Sequence, residues 1–526
     1  MMKGRPATLS RQVRSMVECV VRGSVVAIVL GGLAAFGSVA VARAPAGDWL
    51  TAVSSREQRP NALVSEGLSP DGRTFAWSTT ERVLASDHNA SADVYVRRHG
   101  RVALVTSGPG ERFQYGPHIV SVSNAGAVLF WTDKRLVRAD RDQGNDLYRW
   151  QSGHFRLLTS GSRTEEDPWM VPGKVTPDLS YLVFSTSRPL TRDDTNGDSD
   201  VYELHAGRFR WISRPAPGGS PGGASYADAV SPSGSQVVFE SSASLTPDDQ
   251  SGETKIFRWS QGRLARVSSN CAAGSDSFIA ADLRVDHVLF RSKCRLSSAD
   301  HDNANDLYEW SPRGTHLIST GPLDPQSSVE ADPAGMSSDG RRVLFETFDR
   351  LTADDHHPGT DIYERADGHT KLISPNGYEP PRGDPVPVLA RTRDHKTIYF
   401  VTSRRISRSD RDNLPDLYRW SGGRTTYVGC KPTGGVFNSS DLTLPAGAPA
   451  VFASYQRCGT RHRGRSLSLY AWRNGRFRRL SSIGQYEGGV LSADGRRVFL
   501  TSRLPVNEHD RDGGDFDVSS FALGRR

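Results

Sequence analysis

The most distinctive polar feature of the sequence is an acidic segment that recurs ahead of an aliphatic-aromatic pair such as Leu-Tyr. Its fuller copies alternate carboxylate or amide side chains and then add another carboxylate a few residues later. This alternation can bring several hard oxygen atoms to one point, as Ca²⁺ requires, because the ion takes six to eight oxygen ligands. The candidate ligands are Asp140, Asp142 and Asp146; Asp194, Asn196, Asp198 and Asp200; Asp300, Asp302 and Asp306; and Asp410, Asp412 and Asp416.

A purely structural interpretation of the acidic segments stays open beside the Ca²⁺ hypothesis. Asp and Asn side chains also accept hydrogen bonds from nearby backbone amides and so hold long loops in shape. The spacing resembles the start of an EF-hand loop, but the downstream bidentate Glu of that motif is missing. Weaker or terminal copies lie at Asp87, Asn89 and Asp93; at Asp354, Asp355 and Asp361; and at Asp510, Asp512, Asp515 and Asp517.

No combination of residues in the sequence has the spacing of a known catalytic centre. The stretch Gly218-Gly219-Ser220-Pro221-Gly222 has the letters G-x-S-x-G. A nucleophile elbow, however, needs a strand before it and a helix after it. Here the stretch lies in a Pro- and Gly-rich connection, and Pro221 lacks the amide that an oxyanion hole would use. His356 and His357 lie in an acidic loop and are interpreted as solvated.

The acidic segments belong to an internal repeat of roughly 51 to 55 residues, close to the length of one propeller blade. Each copy contains a tight turn such as Ser69-Pro70-Asp71-Gly72, an apolar strand such as Val237-Val238-Phe239, and a strand such as Asp146-Leu147-Tyr148. A Gly-bearing turn then leads into a fourth strand. The aromatic residue of the third strand recurs at Tyr95, Tyr148, Tyr202, Phe257, Tyr308, Tyr363, Tyr418 and Tyr470, with a degenerate ninth copy at Asp517-Val518.

Four short strands per repeat cannot bury both faces of one sheet, and radial stacking of such sheets solves this. The predicted fold is an all-β propeller of about nine four-stranded blades. Eight blades or two smaller rings stay open, because the copy around 440–482 is irregular and has Pro445 and Pro449 near its start. Residues 50–53 resemble an isolated fourth strand, and we expect them to complete the last blade and close the ring.

The Ser-Pro-Asp-Gly turn, the Val-x-Phe strand and the Asp-Leu-Tyr strand resemble the repeats of TolB-like, WD-type β-propellers. The resemblance extends over residues 49–521. It implies the fold and leaves the function open, because many unrelated proteins carry such repeats. TolB has a separate α/β domain ahead of its propeller, and we expect none here. The resemblance therefore does not transfer TolB's partners to this chain.

Residues 1–44 have the pattern of an export signal, and residues 49–526 form the predicted propeller. Basic residues precede an apolar run over 25–41, which ends in the small residues Ala40-Val41-Ala42. Cleavage after Ala42 is expected, and an uncleaved membrane anchor is the alternative. In both cases the propeller is exported, either outside the cell, in the cell envelope, or anchored and facing outwards.

Four cysteines follow the signal segment, and their positions in the repeat predict two disulfides. Cys271 and Cys430 each follow a fourth strand, while Cys294 and Cys458 each follow a second strand. The entry to a first strand and the exit of a second strand lie at the same end of a hairpin. We therefore expect the pairs Cys271–Cys294 and Cys430–Cys458, which an oxidising compartment would favour.

The charge distribution argues against a nucleic-acid partner. The formal net charge is +7, with a pI near 9.2, but the arginines are spread over all repeats instead of forming one basic tract. The predicted function is an exported, non-catalytic module that binds a protein, peptide or glycan, or acts as a scaffold; the alternative is a hydrolase or lyase that uses the central channel. Tryptophans that recur in register are interpreted as blade packing: Trp150, Trp259, Trp310 and Trp420.

Overall fold

The chain is represented by a computed structural model. It describes residues 48–49 and 63–523 except 81, 90, 107–115, 142–143, 160–169, 250–251, 269–270, 272–273, 324–329, 357–358, 376–387, 433, 436–442, 457, 459–462, 483–485, 493 and 503–516. All of these residues belong to one compact unit, 44–526. The predicted signal segment, Cys19, Asp142, residues 50–53 and Asp510 to Asp515 lie outside the described residues.

Every regular element within the described ranges is a β-strand, so the all-β prediction is confirmed. Within the same ranges, no helix has the length and apolar character needed to span a membrane. The strands form nine sheets, numbered here 1 to 9 in chain order. Neighbouring strands of a sheet are consecutive and antiparallel, as in a meander.

The strands of each sheet are named first to fourth in the order of pairing. Sheets 1 to 3 contain Leu63–Leu68, Thr74–Thr79, Asp93–Arg98 and Arg101–Leu104; His118–Val122, Val128–Thr132, Asp146–Gln151 and His154–Leu157; and Met170–Val175, Tyr181–Thr186, Asp200–His205 and Arg208–Trp211. Sheets 4 to 6 contain Ser225–Val230, Gln236–Ser241, Lys255–Ser260 and Arg263–Arg266; Ser277–Ala281, Val288–Ser292, Asp306–Ser311 and Gly314–Leu317; and Asp332–Met336, Arg342–Thr347, Asp361–Ala366 and His369–Leu372.

The last three sheets depart from this pattern in part. Sheet 7 contains Val388–Thr392, Thr397–Thr402, Asp416–Ser421 and Arg424–Tyr427, with Thr443–Leu444 added parallel to its first strand. Sheet 8 contains Gly434–Gly435, Ala450–Gln456, Arg463–Arg473 and Arg476–Ser482. Sheet 9 contains Tyr486–Leu491, Arg497–Ser502 and Asp517–Ala522, and Asp48–Trp49 is its fourth strand.

The turn between the first and second strands follows directly from its residues. In sheet 1 the Gly72 amide donates to the Ser69 carbonyl at 2.8 Å, and the Ser69 hydroxyl donates to Asp71 at 2.7 Å. Gly72 has a φ of +67°, a conformation that a side chain disfavours. The same serine-to-aspartate bond closes the turns at Ser337–Asp339 and Ser492–Asp494. The recurring Ser-Pro-Asp-Gly pattern is therefore a hairpin signal.

The hydrophobic core lies where the second and third strands of one sheet face those of the next. All five residues of the second strand in sheet 2 are buried. In sheets 1 to 8 an aromatic residue of the second strand pairs with one of the third strand, as Phe290 does with Tyr308, their ring centroids 5.8 Å apart. These cross-strand aromatic pairs explain why both motifs recur in one register.

The sheets contact one another in chain order, and the first sheet also contacts the last. First strands of successive sheets touch for sheets 1 to 6 and for sheets 7 and 8. The Phe75 ring of sheet 1 stacks on Phe499 of sheet 9 with centroids 5.0 Å apart. Asp48 and Trp49 pair with Ser520 and Ser519 on sheet 9. Chain positions near the two ends of the described unit thus meet.

Sheet 8 is the least regular sheet, as its prolines predicted. Its first strand has two described residues, and the segment after it pairs with sheet 7 instead. Pro445 and Pro449 flank the route back to the second strand, and neither can donate a hydrogen bond to a ladder. Every other sheet has a β-bulge in its first strand, such as the one at Asp228 between Ala227 and Ala229.

Candidate functional site

In six acidic loops, the aspartate eight residues before the tyrosine of the third strand accepts a hydrogen bond from that tyrosine. The Tyr148 hydroxyl donates to Asp140 at 2.5 Å, and Tyr418 donates to Asp410 at 2.6 Å. Equivalent bonds join Tyr95 to Asp87, Tyr202 to Asp194, Tyr308 to Asp300 and Tyr363 to Asp355. Burial first, and the carboxylate next, raise the pKa of each tyrosine far above its usual range.

In sheet 3 every predicted ligand of the acidic loop has a protein donor. The Asn196 side chain donates to Asp200 at 3.0 Å and accepts from the Asp198 amide at 2.8 Å. Asp200 also accepts from the Trp211 indole at 2.7 Å, and Asp198 accepts from the Gly223 amide at 2.9 Å. These bonds satisfy the loop without a metal, so the structural interpretation accounts for sheet 3.

Among the described residues, two acidic loops bring three carboxylates together. Single oxygen atoms of Asp300, Asp302 and Asp306, and likewise of Asp410, Asp412 and Asp416, lie within 4.8 Å of one another. In both loops an aspartate replaces the central asparagine of sheet 3, so the side-chain amide that would bond the third-strand aspartate is lost. Either triad offers hard oxygen ligands suited to a divalent cation.

One position, which was not recognised from the sequence, carries a buried side chain that joins neighbouring sheets. It lies two residues after the second strand and is called here the bridging position. Its base pairs with the aspartate that begins the third strand of the preceding sheet: Lys134 with Asp93 at 2.7 Å, Arg188 with Asp146 at 3.4 Å, and Arg404 with Asp361 at 2.5 Å. All six side chains are buried. The recurring Thr-x-Lys or Thr-x-Arg after the second strand is the sequence signal for it.

Both carboxylate triads occur where the bridging position carries no base. Asp349 of sheet 6 occupies that position next to sheet 5, and Cys458 of sheet 8 occupies it next to sheet 7. At sheet 7 the Lys431 ammonium supplies a countercharge 2.9 Å from Asp412. Burial first, and the Asp410 carboxylate next, raise the pKa of Asp416 to about 7. A carboxyl group that holds its proton more firmly is a poorer cation ligand, so the triad of sheet 5 is the better candidate for a cation.

The four cysteines lie in the two predicted pairs at disulfide distance. The Cα atoms of Cys271 and Cys294 are 6.1 Å apart, and those of Cys430 and Cys458 are 5.1 Å apart. Cys294 and Cys458 both occupy the bridging position. Each pair thus joins two neighbouring sheets where a buried ion pair does so elsewhere.

An open cleft of about 800 Å³ lies between the outer strands of sheets 3 and 4. It is called here the seam cleft. Trp259 and Leu264 form its sheet 4 side, and Trp211 forms its sheet 3 side. Its solvent-exposed lining, called here the opening, includes three arginines: Arg210, Arg214 and Arg263. Its volume lies in the range typical of small-molecule sites, about 300–1,000 Å³.

The chain between sheets 3 and 4 forms a fixed wall of the seam cleft. The Ala216 amide donates to the Leu245 carbonyl at 2.9 Å, and the Ser220 amide donates to the Ser244 carbonyl at 2.7 Å. A Cβ atom at Gly219 would lie 2.5 Å from the Leu245 carbonyl oxygen, so this close approach requires glycine. The G-x-S-x-G letters therefore belong to a connection packed on sheet 4.

The tryptophans in register pack between sheets, as the sequence suggested. Trp259 and Trp420 are buried. A cation from the preceding sheet lies over three of the rings: Arg210 over Trp259 at 5.1 Å, Arg258 over Trp310 at 5.4 Å, and Lys371 over Trp420 at 5.0 Å. The sequence did not predict that one of these packed contacts between sheets opens into a cleft. The sequence signal for the cleft is the pair of prolines Pro215 and Pro217, which follow the fourth strand of sheet 3.

A pair of interacting carboxyl groups lies on the inner strands of sheet 4. Burial first, and the Glu240 carboxylate next, raise the pKa of Asp228 well above its usual range. Burial also raises the pKa of Glu240, which accepts a bond of 2.5 Å from the Phe278 amide of sheet 5. Asp228 lies at the β-bulge of the first strand. Groups with such displaced pKa values are suited to proton transfer.

Comparisons with known proteins give structural likeness alone. No protein-family model matches the chain, and no curated protein matches it. An oligogalacturonate lyase in complex with manganese is 11% identical, with a TM-score of 0.33, over 76% of this chain and 86% of that chain. The β-propeller domain of the Trilobed protease from Pyrococcus furiosus is 12% identical, with a TM-score of 0.31, over 70% and 96%.

TolB from Acinetobacter baumannii is also among the similar structures. It is 11% identical, with a TM-score of 0.25, over 64% of this chain and 75% of that chain. The similar structures thus include TolB and other propeller proteins, while the specific TolB-like assignment stays a prediction. Identities and TM-scores of this size assign neither an activity nor a ligand to this chain.

Proposed function

We propose that the nine sheets are the blades of one closed β-propeller of TolB-like repeats, and that the chain is an exported, non-catalytic module that binds a protein, peptide or glycan. The contact of sheet 1 with sheet 9 through Phe75 and Phe499 supports closure. The pairing of Asp48–Trp49 with sheet 9 supports a last blade built from distant parts of the chain. Two cysteine pairs at disulfide distance support export, since oxidising compartments favour such bonds.

The observation that carries the binding function is the seam cleft. Its walls are held by strands on both sides and by the bonded connection at Ala216 and Ser220. A preformed site of this kind loses little conformational entropy when a ligand enters, which favours binding. The cleft is thus the place where we expect a small ligand, or a side chain of a larger partner, to enter.

Blocking the seam cleft tests this function. Gln261 lines the cleft in the hairpin of sheet 4, and Ser152 is the equivalent hairpin residue of sheet 2; both are exposed, with φ near +50°. We would label Q261C and S152C with a bulky maleimide and screen short peptides and oligosaccharides by ligand-observed NMR. Hits lost with labelled Q261C and kept with labelled S152C support the function. Hits insensitive to either label, or no hits, contradict it.

We further propose that the triad Asp300, Asp302 and Asp306 holds a hard divalent cation such as Ca²⁺ as a structural ion. The approach of one oxygen atom from each of these side chains to within 4.8 Å of the others supports this, because several hard oxygen atoms at one point are suitable ligands for such an ion. The matched variant is D302N, which restores the asparagine found at Asn196. We expect Ca²⁺ to raise the melting temperature of the wild type and to have a smaller effect on D302N. An equal shift in both contradicts the site.

A catalytic function is the second candidate, and the carboxyl pair Asp228 and Glu240 is the observation that favours it. A carboxyl group with a raised pKa can act as a general acid, because it holds its proton to a higher pH than an ordinary carboxyl group does. In a closed propeller the first strand of sheet 4 would line the central channel. Turnover of a panel of glycosides and esters by the wild type, absent in D228N, would support an enzyme. Equal turnover in both would contradict it.

A further inference from the structure

We propose that the seam cleft selects small organic anions, with a carboxylate or phosphate group attached to an apolar body. This inference rests on the proposed function, because it names the ligand class of the same cleft. Three features carry it: the charge around the opening, the apolar character of the walls, and the state of the polar groups already present.

The opening of the seam cleft carries an excess of positive charge. Arg210 forms an ion pair with the buried Glu203 at 3.0 Å, and Arg214 pairs with Asp193 at 2.8 Å. Side chains of Arg214 and Asp193 are both more than half exposed, so water competes with their attraction. Arg263 is exposed and has no ion-pair partner within the described part of the chain. Its guanidinium is free to bind a carboxylate or phosphate through paired N–H groups.

The interior of the seam cleft offers apolar surface with its polar groups already engaged. The Trp211 indole donates to Asp200 at 2.7 Å and to Ser213 at 3.0 Å, so its ring meets the cleft as an apolar body. Trp259 lies beneath Arg210, and Leu264 and Pro215 complete the lining. A ligand made only of polar groups would leave this apolar surface in contact with water, and a neutral apolar ligand would form no ionic contact with the arginines.

The arginines that line the seam cleft are exposed, whereas Trp211 and Trp259 are buried. Arg263 begins the fourth strand of sheet 4, and its neighbour Leu264 lines the cleft with it. An anion at the opening would therefore carry an apolar group directed towards Trp259. Naphthalene-sized ligands fit within about 800 Å³. The structure thus favours amphipathic anions over inorganic ones.

Three probes with one apolar body test the proposal: 2-naphthoate, 2-naphthyl phosphate and the neutral 2-naphthamide. We would measure their affinities for the full chain by isothermal titration calorimetry and locate them through tryptophan fluorescence. An anion held by one charge-assisted arginine contact should bind about tenfold or more tightly than naphthamide. Preference for the phosphate or for the carboxylate identifies which anion the cleft suits.

The matched variants are R263A and R424A. Arg263 and Arg424 each begin a fourth strand and are exposed, but Arg424 does not line the cleft. We expect R263A to reduce the affinity of both anions about tenfold and that of naphthamide much less, and we expect R424A to change none of the three affinities. Equal affinity of all three probes overturns the anion preference while leaving the cleft as a binding site. Failure of all three to bind overturns the anion proposal, whereas the peptide and oligosaccharide screen with labelled Q261C decides the binding function separately.

Discussion

At the scale of single residues, the tyrosine-to-aspartate bond explains the most conspicuous motif of the sequence. The hydroxyl of Tyr308 is buried, and an unbonded buried hydroxyl is costly, so a carboxylate acceptor eight residues earlier stabilises the third strand. The same aspartate accepts the amide of Asp302 at 3.2 Å and so shapes the loop. One side chain thus connects the strand to the acidic loop before it.

Removing one of these hydroxyls should cost more where the aspartate is present than where it is missing. We expect Y308F to lower the free energy of unfolding by about 1.5–3 kcal/mol, the usual contribution of a hydrogen bond to a charged group. Tyr470 occupies the same place in sheet 8, with His462 eight residues before it, so Y470F is the matched control. Chemical denaturation measures both, and equal losses would contradict the role assigned to Asp300.

A second residue-scale feature joins consecutive sheets through a carboxyl group. Glu346 of sheet 6 accepts the Val388 amide of sheet 7 at 3.1 Å, as Glu240 does for Phe278 between sheets 4 and 5. Burial raises the pKa of Glu346 to about 7; the Val388 bond opposes that rise and Asp332 adds to it. The folded chain therefore keeps this proton over a pH range in which the unfolded chain releases it.

This raised pKa makes folding stability fall as the pH rises. Below about pH 4 both states hold the proton, and above about pH 7 both lack it, so the loss develops between these values. E346Q keeps the acceptor for Val388 but cannot ionise. We expect it to be more stable than the wild type at pH 8, by up to about 3 kcal/mol, and similar at pH 4. Parallel pH profiles of unfolding would contradict this.

At the scale of elements, buried ion pairs at the bridging position fasten sheet to sheet. Arg404 donates to Asp361 and to the Thr360 carbonyl, both at 2.5 Å, and Asp361 also accepts from Ser374. Removing one partner of a buried pair is expected to cost about 3–5 kcal/mol, because it leaves a buried charge uncompensated. Replacing both partners avoids that cost. The pair therefore specifies which sheets meet more than it adds to net stability.

A double-mutant cycle tests the bridging pair. We expect R404M alone to lower the free energy of unfolding by about 3 kcal/mol or more, and D361N to recover much of that loss in the R404M background. Additive effects of the two substitutions, measured by urea denaturation, would show that the side chains act independently and would contradict the pairing.

The cysteine pairs should contribute to stability in the same places. Each would close a loop of about 25 residues, for which the expected contribution is about 3 kcal/mol. Without reductant, we expect C271S/C294S to have a lower unfolding midpoint than the wild type. In reductant, where Cys430–Cys458 is also reduced in both proteins, we expect the two midpoints to be equal. Alkylation of all four thiols in the unreduced, denatured protein would contradict both bonds.

Many of the strands and turns could be predicted from the sequence, because turn chemistry and strand patterning depend on residues that are close together in the chain. The Ser-Pro-Asp-Gly hairpin, the Val-x-Phe strand and the cysteine pairs follow from spacing within one or two repeats. The bridging pairs and the seam cleft were missed, because Lys134 and Asp93 are 41 residues apart and belong to different repeats. The acidic loops of sheets 3 and 5 do differ in sequence, since Asp302 of sheet 5 replaces Asn196 of sheet 3, but the bonds that Asn196 makes with Asp198 and Asp200 are visible only in the structure.

At the scale of the whole molecule, closure of the ring decides whether sheets 1 and 9, the first and last in the chain, have both faces covered. An open array would leave the inner faces of sheets 1 and 9 exposed, including the buried rings of Phe75 and Phe499. In the proposed closed ring the two aromatic rings pack against each other, and Asp48–Trp49 is the fourth strand of sheet 9. The predicted closing strand was residues 50–53; the described pairing lies just before them.

Cysteine crosslinking tests closure of the ring directly. Asp48 and Ser520 are cross-strand partners, whereas Ser502 pairs with Asp517 at the far side of the third strand. We expect D48C/S520C, in the full chain, to form an intramolecular crosslink under mild oxidation, because paired residues on adjacent strands lie about 4.5–5.5 Å apart. D48C/S502C should not crosslink. Peptide mapping by mass spectrometry measures both, and a crosslink that forms only between separate chains would mean that the last sheet is completed by another molecule.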